Sequence, residues 1–130
     1  MNASLPELRH ALLALHKALV DAERASYEAT VGAIQSPNHF FQLLTNDPWF
    51  AWLQPLSNLI VAMDEALDAK EPITAADADA LVQQTRLLLV ASEEGEGFSR
   101  HYFDALQRDP DVVLAHAQAA RIFHPRQRPG

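Results

Sequence analysis

Apolar residues recur along this chain at helical rather than strand spacing. Leu5, Leu8, Leu12, Leu15, Leu19 and Ala22 follow a three-four rhythm, and a second row, Leu13, Val20, Tyr27 and Ile34, repeats every seven residues. On a helix of about 3.6 residues per turn the two rows lie side by side and form one broad apolar face. Ser4 followed by Glu7 has the form of a capping box, and Pro6 is tolerated in a first turn. The spacing predicts a long first helix reaching Gln35. Ser36-Pro37 closes it, because proline disfavours helical geometry at the residue before it. Such a helix would exceed about 40 Å at 1.5 Å per residue. That outruns its expected partners, so its end should project, bend at Gly32, or pack on a second subunit.

Cap signals divide the rest. Ser36-Pro37 also opens "NHFFQLLT", a short helix or turn. Asp47-Pro48 reads as an N-cap oxygen followed by a proline at the first helical position. A second main helix is predicted from there to Leu67, through Leu56, Leu59, Ile60, Met63 and Leu67. After the connector "DAKEP", Thr74 with Asp77 caps a third, running to about Ser92. "EEGEG" loosens the chain, and a fourth helix begins near Phe98 with Tyr102, Phe103 and Leu106. Asp109-Pro110 either starts a further helix, Asp111 to Phe123, or kinks a continuing one. Period-two alternation is absent. The expected fold is all-α: an up-and-down four-helix bundle with a long N-terminal helix and a Pro-kinked or split last helix. Residues 1–123 form its single domain, and 124–130 a disordered tail.

Composition narrows the picture. At 130 residues the chain suffices for one core without metals or disulfides. It has no cysteine, which removes thiol nucleophiles and cysteine-based metal sites and suits a cytoplasmic location. No apolar run approaches the roughly 20 residues of a membrane helix, and the early Glu7 and Arg9 make the N-terminus an amphipathic helix rather than a signal peptide. Between Asp64 and Glu96 nine acids face Lys70 and Arg86, a local balance equal to the whole chain's −7. An acidic chain without a clustered basic face argues against nucleic acid as a main partner. Arg100, His101, Arg108 and Arg121 could form a basic edge toward that acidic segment, although solvated helix charge is the ordinary reading.

Chemistry-bearing motifs are sparse. Glu7-x-x-His10 is half of the paired motif that di-iron bundles use, and no second copy occurs. His101 with Asp104, or His116 with a residue from another helix, are weaker fragments. No histidines share the i, i+4 spacing of a helical zinc site. Neither a metal nor a cofactor is expected. Ser57, Ser92 and Ser99 lack a nucleophile elbow, and no phosphate-binding or dinucleotide loop occurs. The balance of these motifs leans away from an enzyme.

The densest aromatic stretch is "NDPWFAWLQPL", Asn46–Leu56. Trp49, Trp52 and Leu56 fall on one helical stripe, with Phe50 and Leu53 on its neighbour. Aromatics at this spacing are core more often than pocket. Pro55, however, lies inside the predicted helix. It lacks an N–H for the Ala51 carbonyl, so a kink or restart is expected there. A break beside two tryptophans could leave an apolar gap lined by Trp49, Phe50, Trp52, Leu53, Pro55 and Leu56.

"DPWFAWLQPLSNLI" followed by "GFSRHYFDALQRDPDVVLAHA" resembles small bacterial helical proteins that carry no assigned activity. The resemblance implies a bacterial, soluble helical protein and supplies no reaction or cofactor. Ferritin-like and hemerythrin-like families share the expected architecture but not this chain's ligand pattern. The leading expectation is a non-enzymatic protein-interaction module that self-associates, as a homodimer or with another protein, because the broad apolar face of helix one has few partners long enough to cover it. A ligand-binding bundle with its pocket at Pro55 is the alternative, and a metal-dependent enzyme a third.

Overall fold

A computed structural model describes residues 5–123, which form six α-helices and no strand. They are α1 (Leu5–Thr30), α2 (Pro37–Asn46), α3 (Gln54–Asp68), α4 (Ala75–Leu88), α5 (Phe98–Arg108) and α6 (Pro110–Phe123), with a short 3₁₀ turn at Ala51–Leu53 before α3. The expected Ser4 cap and the 124–130 tail lie outside the described residues.

α1 is central. Its first apolar row is buried along its whole length, with Leu8, Leu12, Leu15 and Leu19 fully enclosed. α6 covers it most extensively, followed by α3, while α4 rests on α3 and α6. Arg9 pairs with Asp64 and His16 with Ser57, so α1 and α3 run in opposite directions. The buried side chains join in one hydrophobic cluster that also takes in Tyr102, Val112 and Phe123. Each enclosed leucine contributes roughly 1.5–3 kcal/mol of apolar burial, and this burial rather than helix propensity holds the assembly.

Several boundaries follow local signals. Ser36 caps α2 by accepting from the His39 N–H at 3.0 Å, and Pro37 occupies its first turn. Thr74 Oγ1 accepts from the Asp77 N–H at 3.1 Å and opens α4. Asp109 separates α5 from α6, with Oδ1 accepting from the Asp111 N–H at 2.9 Å, so the last helix is split rather than kinked.

Others differ from expectation. α1 stops at Thr30 instead of Gln35. The Val31 and Gly32 N–H groups both close on the Tyr27 carbonyl, and Gly32 has φ +152°. That angle favours glycine, and it turns the chain out of the helix so that α2 folds back over the end of α1. α4 ends at Leu88, four residues before the expected Ser92, where Leu89 leaves helical geometry.

The main correction concerns the second helix. It does not run from Asp47. The Phe50, Ala51, Leu53 and Gln54 N–H groups bond three residues back, to Asp47, Pro48, Phe50 and Ala51. The chain winds in 3₁₀ fashion there, and the α-helix begins only at Gln54. Asp47 does act as a cap, with Oδ1 accepting from the Trp49 N–H at 2.8 Å, but the element it caps is a turn. Pro55 is therefore in the first turn of α3, where a missing N–H costs nothing. Of the two outcomes expected at Pro55, the restart is the one adopted.

Candidate functional site

The turn at 48–50 disperses the aromatic cluster. Three residues apart on a helix would place Trp49 and Trp52 on one face, but Trp49 precedes the 3₁₀ winding and the implied stripe is lost. Trp49 meets Tyr27 of α1 edge to face, ring centroids 5.7 Å apart. Phe50, fully buried, touches both Tyr27 and Phe40, and Arg24 lies 4.8 Å over the Phe40 ring. Trp52 turns toward α5 instead, stacking on His101 at 5.2 Å and meeting Phe98 at 5.4 Å. Leu56 is fully enclosed and Pro55 faces solvent. Thus one cluster anchors α1 to α2, and the other anchors the 3₁₀ turn to α5. Both indole N–H groups are buried without a protein acceptor, a desolvation cost set against the apolar packing of the rings.

Of the six residues expected to line a gap, Phe50 and Leu53 line one cavity. It has a volume of about 400 Å³, lies where α1, α2 and the start of α3 meet, and is completed by His16, Leu44, Thr45, Gln54 and Ser57. The volume falls in the range of roughly 300–1,000 Å³ usual for small-ligand clefts. Pro55 does not line this cavity, nor do Trp49, Trp52 and Leu56.

His16 and Ser57 form its polar end. His16 Nε2 and Ser57 Oγ are 2.8 Å apart, bridging α1 and α3. Ser57 Oγ also reaches the Leu53 carbonyl at 3.4 Å, the back-bond usual for a helical serine. Burial lowers the His16 pKa, because a half-enclosed imidazolium would lose hydration. That favours the neutral ring, in which one nitrogen is a donor and the other an acceptor. Thr45 Oγ1 donates to the Phe41 carbonyl at 3.0 Å, and Gln54 Nε2 to Asn58 Oδ1 at 2.7 Å. No Lys, Arg, Asp or Glu lines the cavity.

The sequence reading passed over His16, Leu44, Thr45 and Gln54 and treated Ser57 only as an isolated serine. The available signal was a polar residue at the margin of an apolar stripe, on α1 for His16 and on α3 for Ser57. Their pairing depends on the register of two helices 41 residues apart in sequence, which one-dimensional spacing does not carry.

The remaining candidates serve packing or surface roles. Glu7 and His10 are exposed on the first turns of α1. His101 stacks on Trp52, and Asp104 pairs with Arg100 at 3.4 Å. The His116 ring meets the hydroxyl of Tyr102, whose pKa burial pushes well above the ordinary tyrosine range. Arg108 does not join a basic edge toward the acidic segment; it pairs at 2.9 Å with Glu23 of α1, a carboxylate only 7% exposed. Among the described residues no three His, Asp or Glu side chains are grouped so as to hold a metal ion, and no helix is long and apolar enough to cross a membrane.

No family model, curated protein or solved structure matches this chain.

Proposed function

We propose that this protein is a small helical domain that binds a small, largely apolar molecule in the cavity between α1, α2 and α3. One observation carries the reading: the His16–Ser57 pair forms the polar end of a cavity walled by Leu44, Phe50 and Leu53 together with Thr45 and Gln54. Concave, mostly apolar sites with a few convergent polar groups are the usual form of small-molecule sites. In this reading the ring formed by α1, α3, α4 and α6 is a four-helix bundle that supplies the scaffold, and α2 is the added element that closes the site. NMR of the leucine methyl groups tests it. A panel of small aromatic and aliphatic compounds should shift Leu44 and Leu53, and Phe50→Ala should weaken the response. Shifts confined to surface methyls would count against the cavity.

Self-association as a homodimer is the second reading, supported by a different surface. The apolar rows of α1 that first suggested it are largely covered within the chain by α6 and α3. Beside them runs a groove of about 480 Å³, built from Pro6, Ala11 and Ala14 of α1 with Ile122 of α6 and edged by Glu7, His10 and Gln118. Leu114, 63% exposed, lies two turns before Ile122 on the same stripe. Sedimentation at tens of micromolar should show a dimer that Leu114→Glu dissociates; a strict monomer would remove this reading.

A further inference from the structure

We infer that the cavity selects neutral molecules that donate a hydrogen bond, such as an aryl or alkyl alcohol or a phenol, over acceptors and ions of the same size. The inference rests on the ligand-binding reading above and follows from where each polar proton at the site is committed.

Thr45 gives its hydroxyl proton to the Phe41 carbonyl, which leaves its oxygen as an acceptor. Ser57 gives its proton either to His16 Nε2 or to the Leu53 carbonyl. If the proton goes to Leu53, His16 donates to Ser57 through Nε2–H. The serine oxygen keeps at least one open lone pair either way, and His16 Nδ1 is a donor in the first arrangement and an acceptor in the second. Gln54 uses one amide hydrogen on Asn58 and retains its carbonyl oxygen and a single N–H. Open acceptors therefore outnumber open donors whichever way the His16–Ser57 proton points.

Charge sharpens the selection. Without Lys or Arg in the lining, a carboxylate would lose its hydration with no cationic partner, and without Asp or Glu an ammonium would fare no better. The apolar walls, Leu44, Phe50 and Leu53, then accommodate the hydrocarbon body. A ligand carbonyl would meet mainly other acceptors at the polar end; Thr45 and Gln54 are open to water, so the penalty that discriminates falls on the partly buried His16–Ser57 pair.

Four probes of one size separate the possibilities: benzyl alcohol, acetophenone, benzoate and benzylammonium, each titrated against the full chain with the Leu44 and Leu53 methyl signals as readout. Benzyl alcohol should bind at least about tenfold more tightly than the other three, and Thr45→Val, which removes one acceptor at nearly constant volume, should weaken it by roughly two- to tenfold, as expected for one hydrogen bond. Acetophenone or benzoate binding as tightly as the alcohol would overturn donor selection and leave the cavity reading standing. Benzylammonium binding as tightly would overturn the neutral requirement. An alcohol affinity unchanged by both Thr45→Val and Ser57→Ala would show that these oxygens do not recognise it. Silence from all four probes would remove the ligand site itself, and this inference with it.

Discussion

At the scale of single residues, the sharpest energetic feature is Glu23. Its carboxylate is buried between α1 and the end of α5 and meets Arg108 at 2.9 Å. Arg108 is itself partly exposed, so the pair is screened from one side and its net contribution is modest. Its loss is asymmetric, because a buried carboxylate stripped of its partner keeps its desolvation penalty. Arg108→Leu should lower stability by roughly 1–3 kcal/mol, and adding Glu23→Leu should recover part of that loss; urea unfolding of the double-mutant cycle measures both. His16 gives a pH signature. Burial depresses its folded-state pKa below the ordinary 6.5. Between those two values the unfolded chain binds more protons, so stability is complete above about pH 6.5 and declines as pH falls toward the folded pKa. His16→Gln should flatten that decline relative to the parent chain, read from urea midpoints at pH 7.5 and 5.

At the scale of elements, the start of α3 shows how little separates two readings of one sequence. Asp47-Pro48 and Pro55 are both compatible with a helix start, and both sites use the chemistry that Asp and Pro offer there. The turn at 48–50 and the 3₁₀ winding at Ala51–Leu53 resolve the conflict by making the first a turn and the second the true start. A proline in a helix interior costs about 3 kcal/mol, so its removal would stabilise the chain. A proline already suited to a first turn restricts the unfolded state instead. Pro55→Ala should therefore lower stability by about 0.4–1 kcal/mol rather than raise it; thermal unfolding distinguishes the two signs. Thr74→Ala should cost about 1 kcal/mol through loss of the α4 cap, with faster amide exchange in the first turn of α4.

At the scale of the whole molecule, one continuous cluster of buried side chains links α1 to α3, α4, α5 and α6. The tryptophans report on its two flanks, Trp49 toward α1 and α2 and Trp52 toward α5. Because both flanks rest on the same core, fluorescence and far-ultraviolet circular dichroism should trace a single transition. Leu12→Ala, at a fully enclosed position on the central helix, should move both probes together and cost about 2–5 kcal/mol. Separate transitions would mean that α5 or α2 unfolds as an independent unit.

Local rules determined the helical class, the first apolar row of α1 and the caps at Ser36 and Thr74, and marked Asp109-Pro110 as either a helix start or a kink. Each depends on side chains within about one turn of one another, which is the range that spacing and capping chemistry describe. The sequence also located a break near Pro55, and the structure has a cavity at the start of α3. Only the tertiary structure decided which side chains face that opening. The turn at 48–50 sends Trp49 and Trp52 to different neighbours, and the antiparallel register of α1 and α3 brings His16 to Ser57. Both outcomes arise from long-range packing, where burial of apolar surface against a distant helix outweighs the small local preference for one continuous helical stripe.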